Sequence, residues 1–504
     1  MSIDLPRRLS TSSSSGESSP ILSNYNSTTS LILVHDDEEP SSPFNLDFPD
    51  DDDEDVPDSP DFEIRRPFSP PMAPSLVFLY LLAPYLKLGA LFLPNTDLPL
   101  QLGIPPLLIF AVLSAFARQI WYMLSRYTRK ADLEDIILNA FARGRGKERQ
   151  RGWLRAIVRG GTGTLRVLLT FLYLRESVHI ILPLLPGNFL LPPRPILTVA
   201  FALVLLPLVS APTLASKRIV YATWASILTY IAWFICVAIA HAQGTLEVNP
   251  GWLRMGALWQ GTTTTAFAFT SASTLPLYAS LKASFPSSGL SKSSVYHSFR
   301  TLSTTSVAVA VAFTLPLIFF TAHMNAVIMQ DSPPLQLQPA IAVLNALTLL
   351  LGIPSVFVTT PSLPISERIR RATSIPLSKY LTFTLVVALS LVPTRVARIL
   401  SDVLLVFACA GTYFLPALLH ITIHFFKRPL SIVVPQTEMP MARSPSAEQA
   451  LPSSTDELLQ RKERALQRTQ WRKRIIWDIG VWVLLLPVGG GGVVWGVGRL
   501  AGRW

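Results

Sequence analysis

The chain has 504 residues, 50% of them hydrophobic and only 15% charged, with a mean hydropathy of +0.40 and a formal net charge of +11. That balance excludes a water-soluble globular domain, and apolar runs long enough to cross about 30 Å of hydrocarbon as helices recur along the chain. The runs lack the every-second-residue alternation of barrel strands, so the expected fold class is an all-α polytopic membrane protein.

In chain order, residues 1–70 are rich in Ser, Pro and acid and culminate in "DDDDED" from Asp50 to Asp55. So few apolar residues predict a disordered, solvated tail. Its opening "MSIDLPRRLSTSSSS" has no apolar stretch after the arginines, so no cleaved signal peptide is expected. Serines that precede prolines in "SSPF", "PDSPDF" and "PFSPP" are candidate phosphorylation sites. Residues 71–427 read as a membrane core of ten spans. Residues 428–474 read as a cytosolic linker with a basic juxtamembrane helix, and residues 475–504 as a last span with a short non-cytosolic end.

Hydropathy places about eleven spans, starting near Pro74, Ile104, Thr164, Pro195, Val220, Met255, Leu302, Pro339, Leu377, Arg398 and Ile475. The connecting loops alternate in charge. Basic segments such as "RYTRKADLEDIILNAFARGRGKERQRGWLRAIVRGG", "SKR" and "SERIRRATSIPLSK" lie on one side. Loops nearly free of Lys and Arg, such as "HAQGTLEVNPGW" and "HMNAVIMQDSPPLQLQ", lie on the other. The positive-inside rule then puts the N-terminus in the cytosol and the C-terminus outside. The basic loops are also expected to touch anionic lipid, and no nucleic-acid partner is needed to explain the charge.

Two spans are interrupted. The first contains "APYLKLGALFLPNTDLP", with Pro84, Lys87, Gly89 and Pro94; the sixth contains "GTTTTAFAFTSASTLPLYASLK", from Gly261 to Lys282. A pair of broken helices at corresponding places in two five-helix halves points to a transporter with inverted repeats, because unwound backbone at that depth must line a cavity. "FTSAST" reads as a ligand site at such a break, with close helix packing the alternative, whereas "TTTT" reads as interhelical packing. Lys87 is expensive within an apolar span. Its ammonium either takes the place of a coupling cation, pairs with a substrate carboxylate, or snorkels to an aqueous vestibule. "YLRESVHI" sets Arg175, Glu176 and His179 near the expected midpoint of span three. Glu176 and His179, three apart, share a face and could titrate, or the charges could neutralise one another structurally. Arg118 reads as a snorkelling residue near the cytosolic end of span two, and Asp402 and Asp478 as helix caps near span ends.

Phosphate-loop, zincin, Cys-x-x-Cys and nucleophile-elbow patterns do not occur, so no enzyme and no cofactor are expected. His420 and His424 are spaced like two metal ligands but lack a third, so no metal site is assigned. "VGGGGVVWGVG" reads as close packing in the last span.

"FAFTSASTLPLYASLK" is similar to the sixth-helix motif of the amino acid/auxin permease family, within the amino acid/polyamine/organocation superfamily. "GALFLP" resembles the end of that family's first-helix motif, "YTRKADLEDIILNAF" its loop after span two, and "LVPTRVARILSDVLLVFACAGTYFLPALLHI" its ninth-to-tenth helix junction. The resemblance implies an eleven-helix, five-plus-five inverted-repeat (LeuT-like) architecture with discontinuous helices 1 and 6, and proton-coupled amino acid transport, with sodium less favoured. It implies substrate binding by Leu88, Gly89, Ala90, Phe269, Thr270, Ser271, Ala272 and Ser273, and the intramembrane charges of Lys87, Glu176 and His179 make these the candidate ion-coupling residues. The long acidic tail resembles the family's fungal vacuolar branch. Two positions depart from the pattern: Lys87 replaces the first glycine of the first motif, and Ala272 stands where many relatives carry histidine. A non-transporting sensor or scaffold of the same fold is the alternative.

Overall fold

The structure is a computed structural model that describes residues 70–96, 99–128, 130–142, 146–185, 192–244, 246, 257–271, 274–284, 292–322, 337–363, 377–423, 475 and 477–501. The chain divides into two units, Met1–Asp52 and Asp53–Trp504, and every described residue belongs to the second. The expected acidic tail at 1–69 and the expected linker at 428–474 lie outside the described residues.

Among the described residues the protein is helical and contains no strand. Its helices are α1 (Pro74–Leu82), α2 (Leu88–Phe92), α3 (Leu100–Thr128), α4 (Leu133–Phe141), α5 (Glu148–Ile181), α6 (Pro193–Val209), α7 (Lys217–Ala242), α8 (Ala257–Ala268), α9 (Thr274–Ser284), α10 (Lys292–Ala322), α11 (Leu337–Val358), α12 (Leu377–Ser390), α13 (Thr394–Cys409), α14 (Leu415–Ile421) and α15 (Gly491–Leu500). Eight helical stretches are long and apolar enough to cross a membrane, and α6 and α12 are shorter apolar helices. The protein is thus a multi-pass integral membrane protein. Its outward-facing side chains agree: Val112, Leu203, Val204, Tyr221 and Leu228 are each at least 60% exposed, which suits lipid and would be an aggregating surface in water.

The helix α11 is the hub of the bundle and packs most extensively on α7 and α5. Hydroxyls fasten it: Ser177 Oγ of α5 donates to Ala346 O at 3.2 Å, Ser226 Oγ of α7 donates to Thr348 O at 2.9 Å, and Thr348 Oγ1 donates to Thr229 Oγ1 at 3.1 Å. Small hydroxyl residues allow this close approach and satisfy the bonds without water.

The stretch α5 is longer than its hydrophobic run. Its 34 residues extend about 51 Å, against about 30 Å of hydrocarbon, and its N-terminal turns carry Arg149, Arg151, Arg155 and Arg159. Asp132 caps the neighbouring α4, accepting the Glu134 N–H at 3.3 Å, and Glu134 pairs with Arg159 at 3.1 Å and Arg155 at 3.9 Å.

The last span packs against the tenth through its glycines. A β-carbon at Gly489 would lie 2.8 Å from Phe414 Cβ, and one at Gly496 would meet the Val406 side chain, whereas Gly491 and Gly492 face open space. The expected close packing of "VGGGGVVWGVG" is therefore borne out at two of its glycines. Both spans carry a π-helical turn, Ala410–Phe414 in the tenth and Leu484–Gly490 in the eleventh, and these turns pack on each other. Asp402 does not cap a helix. It lies inside α13, where Oδ1 accepts from Arg499 Nε of α15 at 3.0 Å, because a carboxylate at that depth needs a cationic partner.

Candidate functional site

Span one loses its regular helix where its sequence predicts. After α1 the chain tightens into a 3-10 turn, Ala83–Leu86, begun by Pro84. Lys87 then leaves helical geometry altogether at φ −115° and ψ −143°, before α2 resumes at Leu88. A second 3-10 turn, Leu93–Asn95, carries Pro94. Proline explains the turns, since it supplies no N–H to an α-helical bond.

Span six breaks after Ala268. Thr270 N–H bonds back to Phe267 O at 3.1 Å, and its Oγ1 donates to the same carbonyl at 2.8 Å, closing the helix on itself. Ser271 N–H has no helical acceptor and donates instead to Thr412 Oγ1 at 3.1 Å, while Tyr413 Oη donates to Ala266 O at 3.1 Å. Both partners belong to the π turn of span ten, whose extra residue aims them at the break. Helix α9 starts at Thr274, whose Oγ1 is buried with no hydrogen-bond partner among the described residues.

The two breaks touch. A β-carbon on Gly89 would lie 2.6 Å from Ala268 Cβ and equally close to Ala268 N, so only glycine allows α2 to approach the end of α8. Leu88, Gly89 and Ala90 are buried there, as are Phe269 and Ser271, and the Phe269 ring lies 5.6 Å from that of Tyr85. Thr270 is half-buried and spends its hydroxyl on its own helix. Ala272 and Ser273 lie outside the described residues.

Lys87 is 2% exposed. Its Nζ donates to Gly352 O and Ser355 Oγ of α11, both at 3.2 Å, and sits 5.7 Å from the centre of the Tyr173 ring. A β-carbon at Gly352 would fall 2.8 Å from Lys87 Cε, so the glycine makes room for the lysine stem. Snorkelling to a vestibule is not what this side chain does: it turns inward, toward the hub helix.

Glu176 and His179 stand elsewhere. Helix α5 ends at Ile181, so both lie in its last two turns and not at its midpoint, because the helix begins well before the apolar run. His179 is exposed. Glu176 feels the nearby charges of Arg175 and Arg194, whose guanidinium groups donate to Val392 O after α12, at 2.9 Å and 3.4 Å. The structure does not bring Glu176 and His179 to the break that holds Lys87. His420 is buried, His424 lies outside the described residues, and no group of three metal-ligating side chains occurs among the described residues.

Arg118 departs most from the sequence expectation. It is 1% exposed and sits about three turns before α3 ends at Thr128. Its Nη2 donates to Leu81 O at 2.8 Å and Ser271 Oγ at 3.1 Å, Nε to Ser271 Oγ at 3.3 Å, and Nη1 to Ser306 Oγ of α10 at 2.9 Å. The guanidinium also lies over the Tyr85 ring, 4.3 Å from its centre. A side chain pointing sideways into the bundle cannot snorkel. Arg118, Thr412, Tyr413 and Ser306 are the site residues that sequence reading missed. The available signal was an arginine deep in an apolar helix.

The fold and site together define a polytopic helical membrane protein in which two interrupted spans meet in the core. No protein-family model matches the chain, and no curated protein does. Solved structures of three variants of a manganese transporter from Eremococcus coleocola share 13% identity with it, cover 86% of this chain and 95% of their own, and superpose with a TM-score of 0.46. Neither the fold described above nor any functional reading rests on that likeness.

Proposed function

We propose that the protein is a secondary active transporter of amino acids or similar small zwitterions that works by alternating access around the two breaks. The observation that carries this reading is the contact of Gly89 with Ala268: two spans, five apart in the chain, are both interrupted and meet at their interruptions. Backbone freed at such a depth in a membrane is tolerated only where it is buried in protein or lines a cavity, and in this reading it serves a ligand. A substrate carboxylate would use the freed N–H groups at Leu88, Gly89 and Ala90, and its ammonium the freed carbonyls at the C-terminal end of α8, as the resemblance to the amino acid/auxin permeases implies.

Eleven spans in a five-plus-five inverted repeat are the architecture this reading requires. The eight long spans, the shorter helices α6 and α12, and the α8–α9 pair support that number. Lys87 is the coupling residue in this reading. Its ammonium lies between a carbonyl and a hydroxyl of α11, the oxygen ligands a small cation would take, so when protonated it fills an ion's place, and the proton it gains and loses is the coupled ion. The N-terminus in the cytosol, the vacuolar membrane as location, and anionic lipid along the basic loops complete the proposal.

The test is uptake of a mixed panel of radiolabelled amino acids into proteoliposomes, with and without an imposed pH gradient. Gradient-driven accumulation is the expected result. A ligand that raises thermal stability yet never accumulates would instead favour a sensor of the same fold.

A further inference from the structure

We propose that the substrate is an acidic amino acid, and that Arg118, with Ser271 and Thr274 at the start of α9, receives its side-chain carboxylate. This rests on reading the two breaks as the ligand site. Span one is flanked by two buried cations: Lys87 reaches toward α11 on one side, and Arg118 toward Ser271 and α10 on another. Neither has an acidic partner. Among the described residues the ion pairs are Glu134 with Arg155 and Arg159, and Asp402 with Arg499, and none includes Lys87 or Arg118. Glu176 keeps company with Arg175 and Arg194 at the end of α5.

A guanidinium has five N–H groups, and the four bonds of Arg118 go to neutral oxygens, leaving one Nη1 hydrogen unused. Neutral acceptors replace the lost water only in part, so this charge gains most from a carboxylate, which can take the unused Nη1 hydrogen and gains a second bond if it displaces a neutral hydroxyl. Three further features at the same place favour an anion. Ser271, which already takes two bonds from Arg118, still has its own hydroxyl hydrogen to donate. Three residues on, Thr274 Oγ1 is buried and unpartnered among the described residues. Thr274 also opens α9, an 11-residue helix, so the positive end of that helix dipole adds to the field. A neutral or basic substrate would leave two desolvated positive charges uncompensated, whereas a second carboxylate offsets one of them.

The experiment compares L-glutamate with L-glutamine and L-aspartate with L-asparagine, each pair differing by one charge at nearly constant shape. Thermal stabilisation of the purified full chain and competition for uptake into proteoliposomes are measured for all four. An acid that binds about tenfold or more tightly than its amide is the expected result. Amides that bind or compete as well as the acids overturn the inference while leaving the transporter reading intact. Acids that stabilise the protein without being taken up uphold the inference and count against transport. If none of the four acts in either assay, the inference falls, and the transporter reading is then decided by the mixed panel of amino acids alone. In Arg118→Gln, glutamate and glutamine should bind alike, and Arg118→Lys should keep part of the preference. A full preference in Arg118→Gln removes Arg118 from the site. If Arg118→Gln does not fold, Thr274→Val is the second variant, expected to weaken glutamate more than glutamine.

Discussion

A lysine inside a membrane protein keeps its charge only if the groups around it replace water, and those around Lys87 do so in part. Gly352 O and Ser355 Oγ accept at 3.2 Å, and the Tyr173 face adds a weaker attraction. Lys87→Ala is therefore expected to abolish the effect of a pH gradient on uptake while leaving a folded protein, a result read from flux at fixed outside pH. Gly352→Ala is expected to act on the same side chain without touching its charge. The added methyl would stand 2.8 Å from Lys87 Cε, the far end of a flexible side chain that can shift aside, so impaired gradient coupling with little change in melting temperature is expected. Lys87 was legible in the sequence because an intramembrane charge is conspicuous wherever it falls. Arg118 was misread because distance from a span end, judged along the chain, says nothing of the direction in which a side chain points.

The helices owe their contacts to a few small residues, and glycines of one kind have two fates. Gly89 holds α2 against α8, so Gly89→Val should prevent that approach and yield protein that elutes as aggregate in size-exclusion chromatography. Gly491→Ala, with nothing within 4 Å, should be harmless or stabilise the last span by about 0.4–1 kcal/mol. The last span is also held by charge. Arg499→Met leaves the Asp402 carboxylate unpaired and should lower the melting temperature, and adding Asp402→Leu should recover most of the loss, since an apolar pair can replace a buried ion pair but half a pair cannot. Element positions were largely readable: the start of each apolar run lies within or beside a helix of the structure, and both breaks fall at their prolines and hydroxyl-rich stretches. The π turns of spans ten and eleven were not readable, because the extra residue is accommodated by packing between the two spans and not by a local signal.

At the scale of the whole molecule, the alternation of basic and uncharged loops predicts a single orientation. With Cys236 and Cys409 replaced, a lone cysteine at Gly146 should react with a membrane-impermeant reagent only from the cytosolic side, and one at Gly244 only from the opposite side. Equal labelling of both from one side would refute the orientation. Alternating access requires the bundle of broken spans to move against its neighbours, and α11, clasped between α5 and α7, is the element against which such movement would be measured. The sequence by itself determined that this is a helical membrane protein, where its spans begin, and that the first and sixth are interrupted, because hydropathy, proline and loop charge act locally and leave their mark on neighbouring residues. Only the tertiary structure decided that the interruptions meet at Gly89 and Ala268, that Lys87 turns to α11, that Glu176 and His179 stand apart, and that Arg118 joins the break of span six. Those facts depend on which faces of distant helices pack together, and that choice is made by the sum of many small contacts spread over the whole chain.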